Sequence, residues 1–264
     1  MPSIEPLRRA QRRLSLTSTH LALLGAGLVT LALAIVGLLG VGEDVTQHNG
    51  LSTTDASHLQ RIIDLRSPWL VHAAEAVTNL GSAALLSVLA LLVAGVLWWR
   101  GSRLVIALAP GLALAIAGTL ASVGKGVIGR VRPDASLRLV PESAPSFPSG
   151  HATDSTAFYV ALALTIAVFV LRRPIAKVLT ILGASAAAFA IGVSRLVLGV
   201  HWPTDVLAGW LLGLSVAILT TVTAFIITRV TPPTGSTRQH RVAQLLALLN
   251  HRRNPTREVG FRAA

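Results

Sequence analysis

The sequence predicts an all-α polytopic membrane protein, a bundle of six transmembrane helices. Three observations carry that prediction. First, 52% of the 264 residues are hydrophobic and only 13% are charged, a balance far from that of a water-soluble domain. Second, residues 21–41, 76–99, 104–124, 155–171, 178–194 and 206–228 contain no charged side chain. About 20 residues of helix cross ~30 Å of hydrocarbon, so the stretches of 21, 24, 21 and 23 residues span unaided, while the two of 17 need their flanks. Asp154 and Lys177 then lie near the interface, where polar ends are tolerated. Third, the cations are distributed unevenly. With the N-terminus in the cytoplasm, six crossings put 16 of the 23 Lys and Arg on the inner side, as the positive-inside rule requires.

Taken in order, residues 1–20 are a basic cytoplasmic tail holding Arg8, Arg9, Arg12 and Arg13. The first apolar stretch exceeds the ~7–15 residues of a cleavable signal core, so it is read as a retained helix. Residues 42–75 form the longest outer connection. Within it, residues 58–74 mix Leu59, Ile62, Ile63, Leu65, Trp69, Leu70 and Val71 with charges, a composition suited to a helix lying at the interface. Pro68 breaks or starts a helix there. This segment is either a spacer returning the chain to the second crossing or a lid. Inner turns at 100–103 and 172–177 join tight helical hairpins, the latter aided by Pro174. After residue 228, Thr-Pro-Pro-Thr-Gly-Ser-Thr is a breaker-rich linker. A basic stretch at 238–253 follows, which reads either as an amphipathic helix on the inner leaflet or as a solvated tail. The chain thus divides into a basic cytoplasmic tail at 1–20, a membrane domain at 21–228 and a basic cytoplasmic tail at 229–264. Gly and Ala inside the crossings, such as Gly111, Ala113, Ala115 and Gly118, allow close helix approach in one compact bundle.

The net charge of +12 would suggest nucleic acid in a soluble protein. Here the inner loops and tails account for it, and no nucleic-acid partner is expected. Cysteine is absent, which excludes disulfides and thiolate metal sites. Oligomeric state is not legible.

Odd and even crossings bring the end of the third helix, the start of the fourth, the end of the fifth and the start of the sixth to one face, the outer one. Nearly all the reactive side chains of the chain gather there. Pro203, with no amide hydrogen to satisfy, suits the first turn of the sixth helix. Asp205 is then four residues from His201, at the spacing where side chains share a face. A carboxylate that holds one imidazole nitrogen fixes the tautomer and leaves the other as nucleophile or base. The alternative is a histidine merely capped by a first-turn aspartate. Pro148, Ser149 and Gly150 lead into His151 and the fourth helix, where free amides, a glycine and a hydroxyl make a phosphate cradle. His151 can protonate a leaving alkoxide. Ser149 alone could equally be an N-cap. Lys125, Arg132 and Arg195 supply charge for the equatorial oxygens of a transferring phosphoryl group, or else anchor headgroups. For Arg130 and Arg138 headgroup anchoring is the reading taken. Asp154, one turn after His151, either orients that histidine or caps its helix, and stays outside the core site.

Lys125-x6-Arg132-Pro133, Pro148-Ser149-Gly150-His151 and Ser194-Arg195-x5-His201-x3-Asp205 resemble all three signatures of the type-2 phosphatidic acid phosphatase superfamily. The resemblance spans residues 20–228. It implies a metal-independent, cofactor-free lipid phosphatase with a phosphohistidine intermediate, working in the cell membrane on a lipid phosphate. Under it His201 attacks phosphorus, Asp205 orients His201, and His151 is the acid for the leaving group. Lys125, Arg132, Ser149, Gly150 and Arg195 hold the phosphate, and no metal is bound. Phosphatidate, phosphatidylglycerophosphate and polyprenyl pyrophosphates are the substrates implied. Two other readings share the phosphate site. Vanadium haloperoxidases are soluble oxidants, which six spans argue against. A non-catalytic lipid-phosphate binder or transporter has no need of both His151 and His201. Histidine titrates near pH ~6.5 when unperturbed, so a neutral His201 and a protonated His151 imply a bell-shaped rate profile.

Overall fold

The structure, a computed structural model, describes residues 18–231, and all its regular elements are helical. Of the tails expected at 1–20 and 229–264, residues 1–17 and 232–264 lie outside the described residues, while helix already begins at Ser18 and the last helix continues to Val230. Eight α-helices follow in order: α1 (Ser18–Gln47), α2 (Asp55–Asp64), α3 (Pro68–Asn79), α4 (Ala83–Trp99), α5 (Leu104–Ile128), α6 (Gly150–Phe169), α7 (Pro174–Val197) and α8 (Pro203–Val230). Five of them, α1, α5, α6, α7 and α8, are long and apolar enough to cross a membrane. Joined as one span, α3 and α4 supply a sixth.

That sixth span is not the single straight helix expected at 76–99. It bends by 47° between α3 and α4. The break falls at Leu80, Gly81 and Ser82, where glycine weakens the helix and Ser82 restarts it, its hydroxyl accepting the Leu85 amide at 3.4 Å. Gly81 also has a packing reason. A Cβ there would collide with Ile191 of α7 and come within 3.5 Å of the His151 ring.

The other helices outrun their charge-free stretches. Lys125 lies in the last turn of α5, Asp154 inside α6, Lys177 in the first turn of α7 and Asp205 in the first turn of α8. Polar residues that bound each stretch in sequence are therefore carried on helix ends. Pro68, Pro174 and Pro203 each open a helix, the position where a missing amide hydrogen costs least.

At the centre α6 packs on α8 through residues too small to hold the backbones apart. Ala113 and Ala117 of α5, Ala157 and Ala161 of α6 and Ala217 of α8 are wholly buried in one cluster with Val160 and Val216. A Cβ on Gly209 would lie 2.8 Å from both Ala152 Cβ and the Ser149 carbonyl oxygen. The outward faces are apolar: Leu33 and Val36 of α1, Leu91 and Trp99 of α4 and Leu179 of α7 are all more than half exposed, the pattern of helices whose solvent is lipid.

The connection at residues 42–75 is no loose spacer. Leu59 of α2 is 1% exposed and packs with Ala152, Leu196 and Val206. Arg66 donates through Nε to the Val197 carbonyl at 2.7 Å and through Nη2 to the Leu137 carbonyl at 2.9 Å. It thus satisfies a carbonyl at the C-terminus of α7, where a cation complements the helix dipole.

Candidate active site

All eight sequence-predicted site residues come to one end of the bundle, at the end of α5, the start of α6 and the turn from α7 into α8. That last turn is tight. Gly199 has φ 71°, and a Cβ there would strike the Leu137 carbonyl, so only glycine fits. His201 follows at 2% exposure, and Asp205 is wholly buried.

Asp205 Oδ2 accepts the Trp202 amide at 2.9 Å and stands 3.3 Å from His201 Nδ1. The carboxylate therefore both caps α8 and holds the imidazole, so the two sequence alternatives coexist. On the other side, His201 Nε2 is 3.2 Å from Arg132 Nη1. A guanidinium can only donate, so Nε2 is the unprotonated nitrogen and Nδ1 carries the proton toward Asp205. Burial pushes the His201 pKa down to about 4, the neighbouring Asp205 only partly opposing it. At neutral pH the ring is an uncharged imidazole with a bare Nε2.

Behind this pair lies a second layer that the sequence reading missed. Arg130, read there as a headgroup anchor, instead donates from Nη1 to Asp205 Oδ1 at 2.6 Å and from Nη2 to Asp55 Oδ2 at 2.6 Å. Its guanidinium carbon sits 5.7 Å from the centre of the Trp202 ring. Asp55, at the start of α2, also accepts the Thr204 amide at 3.0 Å. The lid-or-spacer segment thus contributes a buried carboxylate that fixes Arg130, which in turn fixes Asp205. Arg138 is likewise engaged with protein, donating to the Pro133 carbonyl at 2.7 Å. A cation beside an apolar stretch looks the same in sequence whether it meets lipid or a distant aspartate, and Asp55 is 75 residues away.

The cradle is built from cations and unpaired donors. Arg132 donates through Nε to the Ala144 carbonyl at 2.6 Å and through Nη1 to the Val200 carbonyl at 2.7 Å. Lys125 Nζ donates to the Pro145 carbonyl at 2.6 Å, with its Cε 4.0 Å from where a Gly150 Cβ would stand. Arg195, 2% exposed, donates through Nη1 to Thr78 Oγ1 at 2.9 Å. Ser149 occupies the N-cap position of α6 but its side chain makes no cap bond, so capping does not explain it. Both Ser149 Oγ and Arg195 Nε are buried without a hydrogen-bond partner. Such groups carry a desolvation cost, and each can donate to an anion. Asp154 points toward Gly118 of α5, its Oδ1 buried and unpartnered, with no hydrogen bond to His151. Among the described residues no group of three or more His, Cys, Asp or Glu is disposed to hold a metal ion. The convergent groups suit a phosphate.

Glu142, in the loop between α5 and α6, completes the cluster. Its Oε1 pairs closely with Arg195 Nη2 and its Oε2 lies 3.3 Å from Arg132 Nη2. Burial alone would raise its pKa, but Arg195, Arg132, His201 and His151 together hold it below the usual carboxylate range.

The chain is similar to known proteins in both sequence and fold. The PAP2 superfamily model matches residues 106–229. Phosphatidylglycerophosphatase B of Bacillus subtilis is 34% identical over 171 residues, covering 63% of this chain and 81% of that protein. An undecaprenyl-diphosphatase of Sulfolobus acidocaldarius is 37% identical over 113 residues, 41% of this chain and 50% of its own length. The crystal structure of a transmembrane PAP2-type phosphatidylglycerolphosphate phosphatase from Bacillus subtilis superimposes with a TM-score of 0.70 at 28% identity, covering 76% of this chain and 99% of that one. With its fold and its sequence both aligned on these proteins, the chain belongs to the PAP2 superfamily and is a membrane-spanning phosphatase.

Proposed function

We propose that the protein removes a terminal phosphate, as monoester or diphosphate, from a membrane lipid through a phosphohistidine on His201. One observation carries the reading. A buried imidazole has Nδ1 on a carboxylate and Nε2 directed at a guanidinium, and at the same end of the bundle a serine hydroxyl and an arginine Nε lack partners. Nε2 attacks phosphorus and forms the P–N bond as the P–O bond to the leaving group breaks. The proton on Nδ1 stays with the imidazolium that Asp205 stabilises. His151, in the first turn of α6, protonates the leaving oxygen. It then takes a proton from water as that water attacks phosphorus, breaking the P–N bond and releasing phosphate. Lys125, Arg132, Arg195, Ser149 and the amides at the start of α6, Gly150 among them, hold the three equatorial oxygens and stabilise charge in the transition state.

Phosphatidylglycerophosphate and polyprenyl diphosphates are the first substrates to try, given what the relatives are named for, and phosphatidate follows from the family resemblance. The excess of inner cations supports a site on the extracytoplasmic side of the cell membrane with both termini in the cytoplasm, and residues 21–228 as the catalytic domain. The test is phosphate release by the purified protein in EDTA from each of the three lipids, with His201→Ala in parallel. The expected result is metal-free release abolished in the variant, together with an acid-labile, alkali-stable phosphoryl label absent from it. Saturable lipid binding with no release would instead make the protein a binder.

A further inference from the structure

The two arginines of the cradle belong to different sequence motifs and different elements, yet one carboxylate bridges them. Glu142 Oε1 takes Arg195 Nη2 and Oε2 takes Arg132 Nη2. These are the donors that phosphate oxygens would use, so an anion entering the cradle competes with Glu142. The carboxylate is free to leave without unfolding the loop that carries it. Its side chain is 26% exposed, while the backbone on both sides is tied down. Leu139 N donates to the Leu198 carbonyl at 3.0 Å, Ala144 O accepts from Arg132, and Ser146 N donates to the Arg130 carbonyl at 2.9 Å.

Resting on the phosphatase reading above, we propose that Glu142 is an internal anion that sets the charge a lipid headgroup must bring to enter the site. A phosphodiester offers one negative charge over two free oxygens, which is what the carboxylate already provides, so the exchange gains nothing. A terminal phosphate brings up to two charges and three oxygens and has a surplus. The membrane around the enzyme consists mainly of diester lipids at concentrations far above any substrate. Without a resident anion they would fill the cradle, because association with a preformed cationic site is favoured by charge alone. After turnover, the returning carboxylate competes with the product phosphate and helps to expel it.

The experiment compares wild type with Glu142→Gln and Glu142→Ala in mixed micelles, after thermal unfolding has established that each variant is folded. Inhibition constants are measured for inorganic phosphate and for vanadate, and the rate is followed as phosphatidylglycerol replaces phosphatidylcholine. The expected result is a fall of about tenfold or more in both constants for the variants, and a rate that declines with phosphatidylglycerol only in the variants. Glu142→Asp, which keeps the charge, is expected to stay closer to wild type than to Gln. Folded Gln and Ala variants with unchanged or raised constants would overturn the proposal, because Glu142 would then be holding the arginines in place and not competing for them. Phosphate and vanadate binding by calorimetry, which needs no turnover, gives the same comparison. A wild type that binds phosphate but releases none from any lipid therefore refutes the phosphatase reading while leaving the role of Glu142 to be decided by its own result.

Discussion

His201 has to be neutral to attack, and its environment favours that form. An unperturbed imidazole titrates near ~6.5, but burial drives this one down to about 4. The reactive species is the one present above the pKa, so the rate is lost as pH falls through the folded value. The acid limb of kcat/KM, corrected for ionisation of the substrate, is therefore expected near pH 4. A limb at pH 6.5 would mean that the free enzyme exposes His201 to water. The same residue shows what was legible in sequence. The i, i+4 spacing of His201 and Asp205 told their contact correctly because a helix start fixes it locally. Arg130, Asp55, Thr78 and Glu142 were missed because each acts on a partner reached only through the tertiary fold, Thr78 on Arg195 across 117 residues. For Arg130 a hint existed, since it stands two residues before Arg132 in the same connecting segment.

Helix ends position the chemistry, and small residues let those ends meet. Gly209 shows the constraint. The carbonyl of Ser149 and the methyl of Ala152 both come within 2.8 Å of where its Cβ would be, so α8 lies directly against the start of α6. A Gly209→Val substitution has to push α6 away, and overpacking of this kind costs about 1–3 kcal/mol. Because the displaced group is the N-cap residue of the cradle, kcat is expected to fall as well as the unfolding temperature. Thermal unfolding and turnover measured on the same detergent sample test both, and a variant that melts like wild type would show that α8 can move aside. The element-level expectations failed only where apolarity was taken as continuity. Residues 76–99 lack charge, yet Asn79, Gly81 and Ser82 break the helix, and hydropathy is blind to backbone propensity. Helix starts near Gly150 and at Pro203 were legible because proline and glycine act through local stereochemistry, and at Pro68, where breaking or starting a helix had both been open, the structure has a start.

The plan of the whole molecule was the most legible level of all, since a bilayer imposes length and apolarity on every crossing and the parity of crossings then decides which motifs share a face. What that plan leaves open is the part played by the basic C-terminal tail. The site draws its side chains from Asp55 to Asp205, and the last helix, α8, ends at Val230. Its C-terminal end is secured within the bundle: Arg103, before α5, donates to the Thr228 carbonyl at 2.9 Å and to the Thr231 carbonyl at 3.2 Å. Ending the chain after Thr231 keeps every one of these contacts and removes six of the cations counted as cytoplasmic. If the tail serves only the inner leaflet, the truncated protein is expected to release phosphate in detergent with kcat and KM within about twofold of the full chain, a difference of less than 0.5 kcal/mol. Its orientation is expected to persist, because the charges of the N-terminal tail and the inner turns remain and the first helix usually dominates topology. Reporter fusions at residue 231 and kinetics on the purified truncation are the two measurements. A protein that inserts normally but does not turn over would tie the tail to the site some 40 Å away by helix length, at about 1.5 Å per residue along the 28 residues of α8, and would require a coupling through α8 itself.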